Sequence, residues 1–209
     1  MKKKYISILC MLLLIFSVSS SVSAYTFSNL PNYSSYSYFI ASSCPTGAVN
    51  AVINSFTPWN ATTPSMTVTL ASTSKSGFSF GIGNGINTIG SLLTNNDFAV
   101  YGGSGAIAMN VKALNSSGYI IESDIAINNI YTYGNGNSQS YYDYQGVFTH
   151  ELGHTFGLGD IYTWSDPIQV IPTMYGLDKY SGTVTYYYLR TLEEDDKAGK
   201  AQVASLRGF

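Results

Sequence analysis

The chain has 209 residues, of which only 11% are charged, and two are histidines. Ten basic against 12 acidic residues leave a formal charge of −2, which excludes the strongly basic surface that nucleic acid or an anionic membrane demands. The two cysteines, Cys10 and Cys44, cannot supply a disulfide framework.

Met1-Lys-Lys-Lys4 precedes an apolar run from Tyr5 to Val18 and a small-residue end, Val22-Ser23-Ala24. That is the pattern of a secretory signal peptide, with cleavage expected after Ala24. The prediction is therefore a leader over 1–24 and one catalytic domain over 25–209, secreted to the extracellular side and free of the membrane in its mature form. Loss of Lys2, Lys3 and Lys4 would leave seven basic against 12 acidic residues, a net −5. Cys44 would then be the lone thiol. A monomer is expected, stabilised by its core, with bound ions such as Ca2+ open as an addition.

Tyr25 to Ser43 is polar and aromatic and suggests an extended arm. Pro45 opens a helix with apolar residues Val49, Val52, Ile53 and Phe56 at helical spacing, and Pro58 is expected to end it. Ser65 to Ala71 alternates, with Met66, Val68 and Leu70 on one face of a strand. Residues 72–97 suggest a loop. Phe98–Tyr101, Ala106–Lys112 and Tyr119–Asn128 are strand candidates, and 129–142 is a second loop. A helix runs from Asp143, its N-cap, to Phe156. Residues 157–190 lack periodicity, and long loops of that kind are usually functional. Thr191-Leu-Glu-Glu194 suggests a capping box that opens a final helix over 195–206. No internal repeat or second domain is visible.

The segment His150-Glu-Leu-Gly-His154-Thr-Phe-Gly157-Leu-Gly-Asp160 carries the chemistry. Histidines four apart on a helix lie about 40° apart around its axis and one turn along it, so both can reach one metal ion. Glu151 is held beside that ion but off the ligand face. This suits it to take a proton from a water that the metal activates. Gly157 lets the chain leave the helix sharply. The two histidines are the only ones in the chain. A third protein ligand must then be a carboxylate or Cys44, and Asp160 is the best placed. Zinc accepts this donor set and keeps a fourth position open.

With Pro172-Thr-Met174-Tyr175-Gly176 downstream, the chain resembles the metzincin clan of zinc peptidases, in which such a segment forms the Met-turn. Order and spacing are similar to the matrixin-like members. An Asp as third ligand is similar to the snapalysin type of small secreted bacterial peptidases. The resemblance implies an α+β domain: a mixed twisted sheet, an active-site helix, a Met-turn and a C-terminal helix. It implies one catalytic Zn2+ on His150, His154 and Asp160, Glu151 as general base, Met174 as an apolar floor and Tyr175 beside a specificity pocket. Gly176 stands where astacin-like enzymes place a zinc-binding tyrosine. Asp195-Asp196 would tie the last helix to the Met-turn or the N-terminus. Cys44 suits a small buried residue before the first helix, or a latency thiolate.

Substrate is expected to lie along Ala106–Asn110, with Ile107, Ala108 and Met109 facing it. The alternative is that this is an ordinary core strand. The resulting function is a secreted zinc-dependent endopeptidase acting on proteins or peptides. A silent binding protein on the same fold and a zinc amidase acting on cell-wall peptides are the alternatives.

Overall fold

The structure is a computed structural model that describes residues 25–63, 65–162, 171–176 and 189–209. The expected leader and parts of the 157–190 stretch lie outside the described residues. Five strands form the main sheet: β2 (Ser35–Ile40), β3 (Thr67–Lys75), β4 (Asn87–Leu93), β5 (Ala108–Leu114) and β6 (Ile120–Asn128). Their order is β3-β2-β4-β6-β5. The first four run parallel, and β5 lies antiparallel to β6 at one edge. The mixed α+β architecture expected from the sequence is therefore present.

Helices α1 (Val49–Asn60) and α3 (Tyr144–Thr155) pack against each other and against the sheet. Their buried residues Val52, Phe56, Trp59, Phe148 and Leu152 join Tyr38, Ile40, Ile89, Ile125 and Ile127 in one core. Each such large side chain contributes about 1.5–3 kcal/mol on full burial. Helix α4 (Glu194–Arg207) closes the fold. Lys200 on α4 is fully buried and donates to the carbonyls of Trp59 at 2.5 Å and Thr62 at 2.6 Å. None of the described helices is long and apolar enough to cross a membrane.

Several elements differ from expectation. Ser35–Ile40 is an inner strand, not part of an arm. Its alternation puts Tyr36, Tyr38 and Ile40 inside, and the Tyr38 hydroxyl is satisfied by Ser123 and Thr155, each at 2.7 Å. Tyrosine here behaves as a core residue because its one polar atom finds partners.

The expected loop over 72–97 contains the end of β3, all of β4 and the start of α2 (Asn95–Val100). β4 is hidden in the sequence by its buried polar residues Thr88 and Ser91 and by Gly90. Gly90 has φ +84°, and a Cβ there would come within 2.8 Å of the buried Cys44 sulfur. The expected strand Phe98–Tyr101 belongs mostly to α2. Thr94 and Asp97 form a capping box that commits the segment to a helical turn.

Pro58 lies inside α1 and does not end it. The anchor is Trp59, whose indole N–H donates to the Thr149 carbonyl at 2.7 Å. The capping box of α4 sits two residues later than expected, on Glu193 and Asp196. Cys44 is fully buried, and burial pushes its thiol up to about 11, which fits the packing role better than a reactive one.

Candidate metal and catalytic site

Helix α3 is set in place from its N-terminus. The Asp143 carboxylate caps it by accepting Gly146 N–H at 2.8 Å. The same carboxylate receives a two-pronged bond from Arg190, at 2.8 and 2.6 Å. Nearly every residue of α3 is buried, so its role is legible from residue types and not from amphipathic patterning.

His150 and His154 project from one face, with ring centroids 5.1 Å apart and planes at 90°. Each ring is held by its Nδ1. That of His150 faces the Thr173 carbonyl at 2.7 Å, and that of His154 faces the Leu158 carbonyl at 2.9 Å. A carbonyl can only accept, so both Nδ1 atoms carry hydrogen. In the neutral rings both Nε2 atoms then point lone pairs into the site.

Gly157 turns the chain at φ +87°, and a Cβ there would meet the Asn29 carbonyl oxygen at 3.1 Å. The short strand Leu158–Gly159 follows and pairs antiparallel with β1 (Thr26–Phe27). This pairing fixes the start of the return, and the Thr26 hydroxyl donates to the Asp160 carbonyl at 3.0 Å. Asp160 Oδ1 then lies 3.1 Å from His150 Nε2 and 3.6 Å from His154 Nε2. Its Oδ2 accepts the Tyr162 hydroxyl at 3.1 Å.

Glu151 is buried, and its Oε2 has no hydrogen-bond partner. Asn110 on β5 donates to the Glu151 carbonyl at 2.7 Å and locks strand to helix. Met174 is fully buried beneath α3, in contact with the position of Gly153. The turn that holds Met174 is tied to the Asp160 segment by Ile161 N–H on the Met174 carbonyl at 2.8 Å.

Electrostatics divide these groups. Burial raises Glu151 to about 7; the His150 charge opposes this and Asp160 adds to it. Burial, joined by the His150 charge, lowers His154 to about 4. Burial also disfavours the His150 cation, but contact with Asp160 and the charges of Glu151 and Asp160 overcome it and bring the ring to about 9. Burial works against the Asp160 anion as well, yet His150, His154 and Tyr162 hold its carboxyl well below the usual range. The site calls for positive charge between Asp160 and the rings.

A metal ion fits that demand. Donor atoms of His150, Glu151 and His154 all lie within 4.8 Å of one another. Asp160 approaches the two rings more closely than that grouping requires. Ligands about 2.0–2.1 Å from a tetrahedral zinc stand about 3.3 Å apart. The two Nε2-to-Oδ1 separations, 3.1 and 3.6 Å, bracket that figure.

A cleft of about 910 Å³ opens over these groups. Ile107, Ala108 and Met109 line it, as do Lys112, Tyr162 and Gly176. β5 is the sheet edge, so the strand expected to meet substrate is not an interior one. Tyr175 packs against the core, and its neighbour Gly176 lines the cleft. Sequence reasoning missed Ser28, Lys112 and Tyr162, and it had Asn110 only as the end of the expected substrate strand. Only Tyr162, two residues past Asp160, had a local signal.

Residues 16–167 match the family model of peptidase M66, a span that includes the whole His150–Asp160 segment. The chain belongs to the peptidase M66 family. No curated protein matches it. Among solved structures it is similar to high choriolytic enzyme 1, a hatching enzyme zinc-protease from Oryzias latipes (medaka fish). The identity is 11%, over 87% of this chain and 94% of that one, with a TM-score of 0.40.

Proposed function

We propose that this M66 family member is a secreted zinc-dependent endopeptidase with a metzincin-type site. The observation that carries this reading is the convergence of two imidazole Nε2 atoms and one carboxylate oxygen. Both Nδ1 atoms are already engaged, so each ring turns its Nε2 toward Asp160 Oδ1, at 3.1 and 3.6 Å. His150, His154 and Asp160 would hold the ion, and Met174 would floor it. When bound, zinc supplies Lewis acidity toward a water molecule and toward the scissile carbonyl.

Glu151 does the proton work. Its buried carboxyl, with an oxygen within 4.8 Å of the histidine nitrogens, would accept a proton from the attacking water and return it to the leaving amine. The free edge of β5 offers backbone N–H and C=O groups to an extended peptide, a mode that favours proteins and peptides with modest sequence demand. Asp160 adds negative charge to the ligand set, and the Tyr162 hydroxyl orients it. The Lys2–Lys4 and Val22-Ser23-Ala24 pattern supports export. A silent binding protein would have no use for an unpartnered, buried Glu151.

Cleavage of casein by purified protein, with and without zinc, tests the proposal. Glu151→Gln should keep its zinc and lose about 10²–10⁴-fold in rate. A Glu151→Gln variant as active as the parent would overturn it.

A further inference from the structure

Lys112 is the single lysine or arginine among the described residues lining the cleft. Alternation along β5 puts it on the same face as Ala108 and Asn110. Asn110 faces α3, because its side chain bonds the Glu151 carbonyl and the Thr155 hydroxyl. Lys112 therefore lies two residues farther along the same wall. Its ammonium donates to Ser28 Oγ at 3.1 Å, and Ser28 in turn donates to the Leu158 carbonyl at 3.4 Å. An ammonium has three N–H donors, and Ser28 takes one. No described carboxylate lies within ion-pair distance of it, although Glu151 and Asp160 act on it from farther off. A half-buried cation held at one point, with donors left for the cleft, is built to meet an anion there.

We propose that Lys112 is a specificity residue that binds the carboxylate of an Asp or Glu side chain in the substrate. This rests on the peptidase reading above. A peptide antiparallel to β5 runs opposite to it, and the bond to be cut lies beside Glu151, level with Asn110. The residue that reaches Lys112 is then two or three places N-terminal to that bond.

The test uses peptides identical except for Glu, Asp, Gln or Lys at those two places. They are assayed for kcat and KM with the full zinc-loaded enzyme and with Lys112→Met, Lys112→Arg and Lys112→Glu. The parent should favour the acid over Gln by about tenfold or more in kcat/KM, chiefly through KM, as a charge-assisted hydrogen bond implies. Lys112→Met should erase that preference, Lys112→Arg should keep it, and Lys112→Glu should turn it toward Lys. Equal cleavage of all peptides by the parent overturns the inference, as does a preference that survives in Lys112→Met. A uniform fall in kcat across all peptides would make Lys112 a charge partner of Glu151, and also overturns it. If the parent cuts no peptide, the peptidase reading fails. Dissociation constants for the intact Glu and Gln peptides then decide Lys112 alone: tighter binding of Glu supports it and equal binding overturns it. Unchanged melting of Lys112→Arg guards against misfolding.

Discussion

Asp196 and His150 are joined through a single residue, Thr173. Asp196 Oδ2 accepts the Thr173 N–H at 2.8 Å, and the Thr173 carbonyl receives His150 Nδ1 at 2.7 Å. The same carboxylate takes Met174 N–H at 3.0 Å and Glu193 N–H at 2.8 Å. One carboxylate of the final helix thus fixes the turn at Thr173 and Met174 and, through it, the tautomer and aim of an imidazole.

Asp196→Asn should therefore weaken metal binding without touching the proposed ligands. Its amide must turn an NH2 group toward an N–H that now has an acceptor. Loss of such outer support typically costs about 10–100-fold in metal affinity. Competition with a graded chelator measures it, and affinity equal to the parent would break the proposed link.

Asp160→Ala should lose zinc and activity together, leaving a two-histidine site. Asp160→His should retain zinc, and as a neutral ligand it should move the acid limb of the pH–rate profile down. Metal analysis and rate against pH check both. Full zinc in Asp160→Ala would place the third ligand elsewhere.

Gly153→Ala should destabilise the fold. Its Cβ would overlap the Met174 sulfur and lie 2.9 Å from Trp59 Cζ2. Overpacking of this kind costs about 1–3 kcal/mol. Combining it with Met174→Ala should recover part of the loss. Urea unfolding of the single and double variants measures this, and additive losses would contradict it.

Asp124, fully buried on β6, sets a pH dependence. Burial raises its carboxyl from 3.8 to about 7; hydrogen bonds from Thr88 hold it back in part, and the Glu122 charge adds to the rise. Between those pH values the folded chain keeps a proton that the unfolded chain has lost. Its contribution to stability is fully present below 3.8 and is lost as pH rises through 7. Asp124→Asn keeps an acceptor for Thr88 and cannot ionise. Relative to the parent it should gain stability from pH 5 to pH 8 in urea unfolding. An equal difference at both pH values would exclude the effect.

The proposed ligands, the base and the α3 N-cap were legible in the sequence because they are local. A four-residue spacing on a helix fixes the relation of His150 to His154, and Asp143 acts on a residue three places away. The start of α1 was legible for the same reason, since its apolar periodicity lies within one segment. β2 and β4 were not. Their Ser, Thr and Tyr residues become core only when partners such as Ser123, Thr155 and Asp124 arrive from far along the chain. Pro58 and Trp59 show the same override, because a distant carbonyl on α3 holds the end of α1. The Asp196–Thr173–His150 chain and the Lys112–Ser28 pair join residues 23 and 84 positions apart. No local pattern encodes such pairings, because backbone hydrogen bonds and sheet register form them only as the whole domain closes.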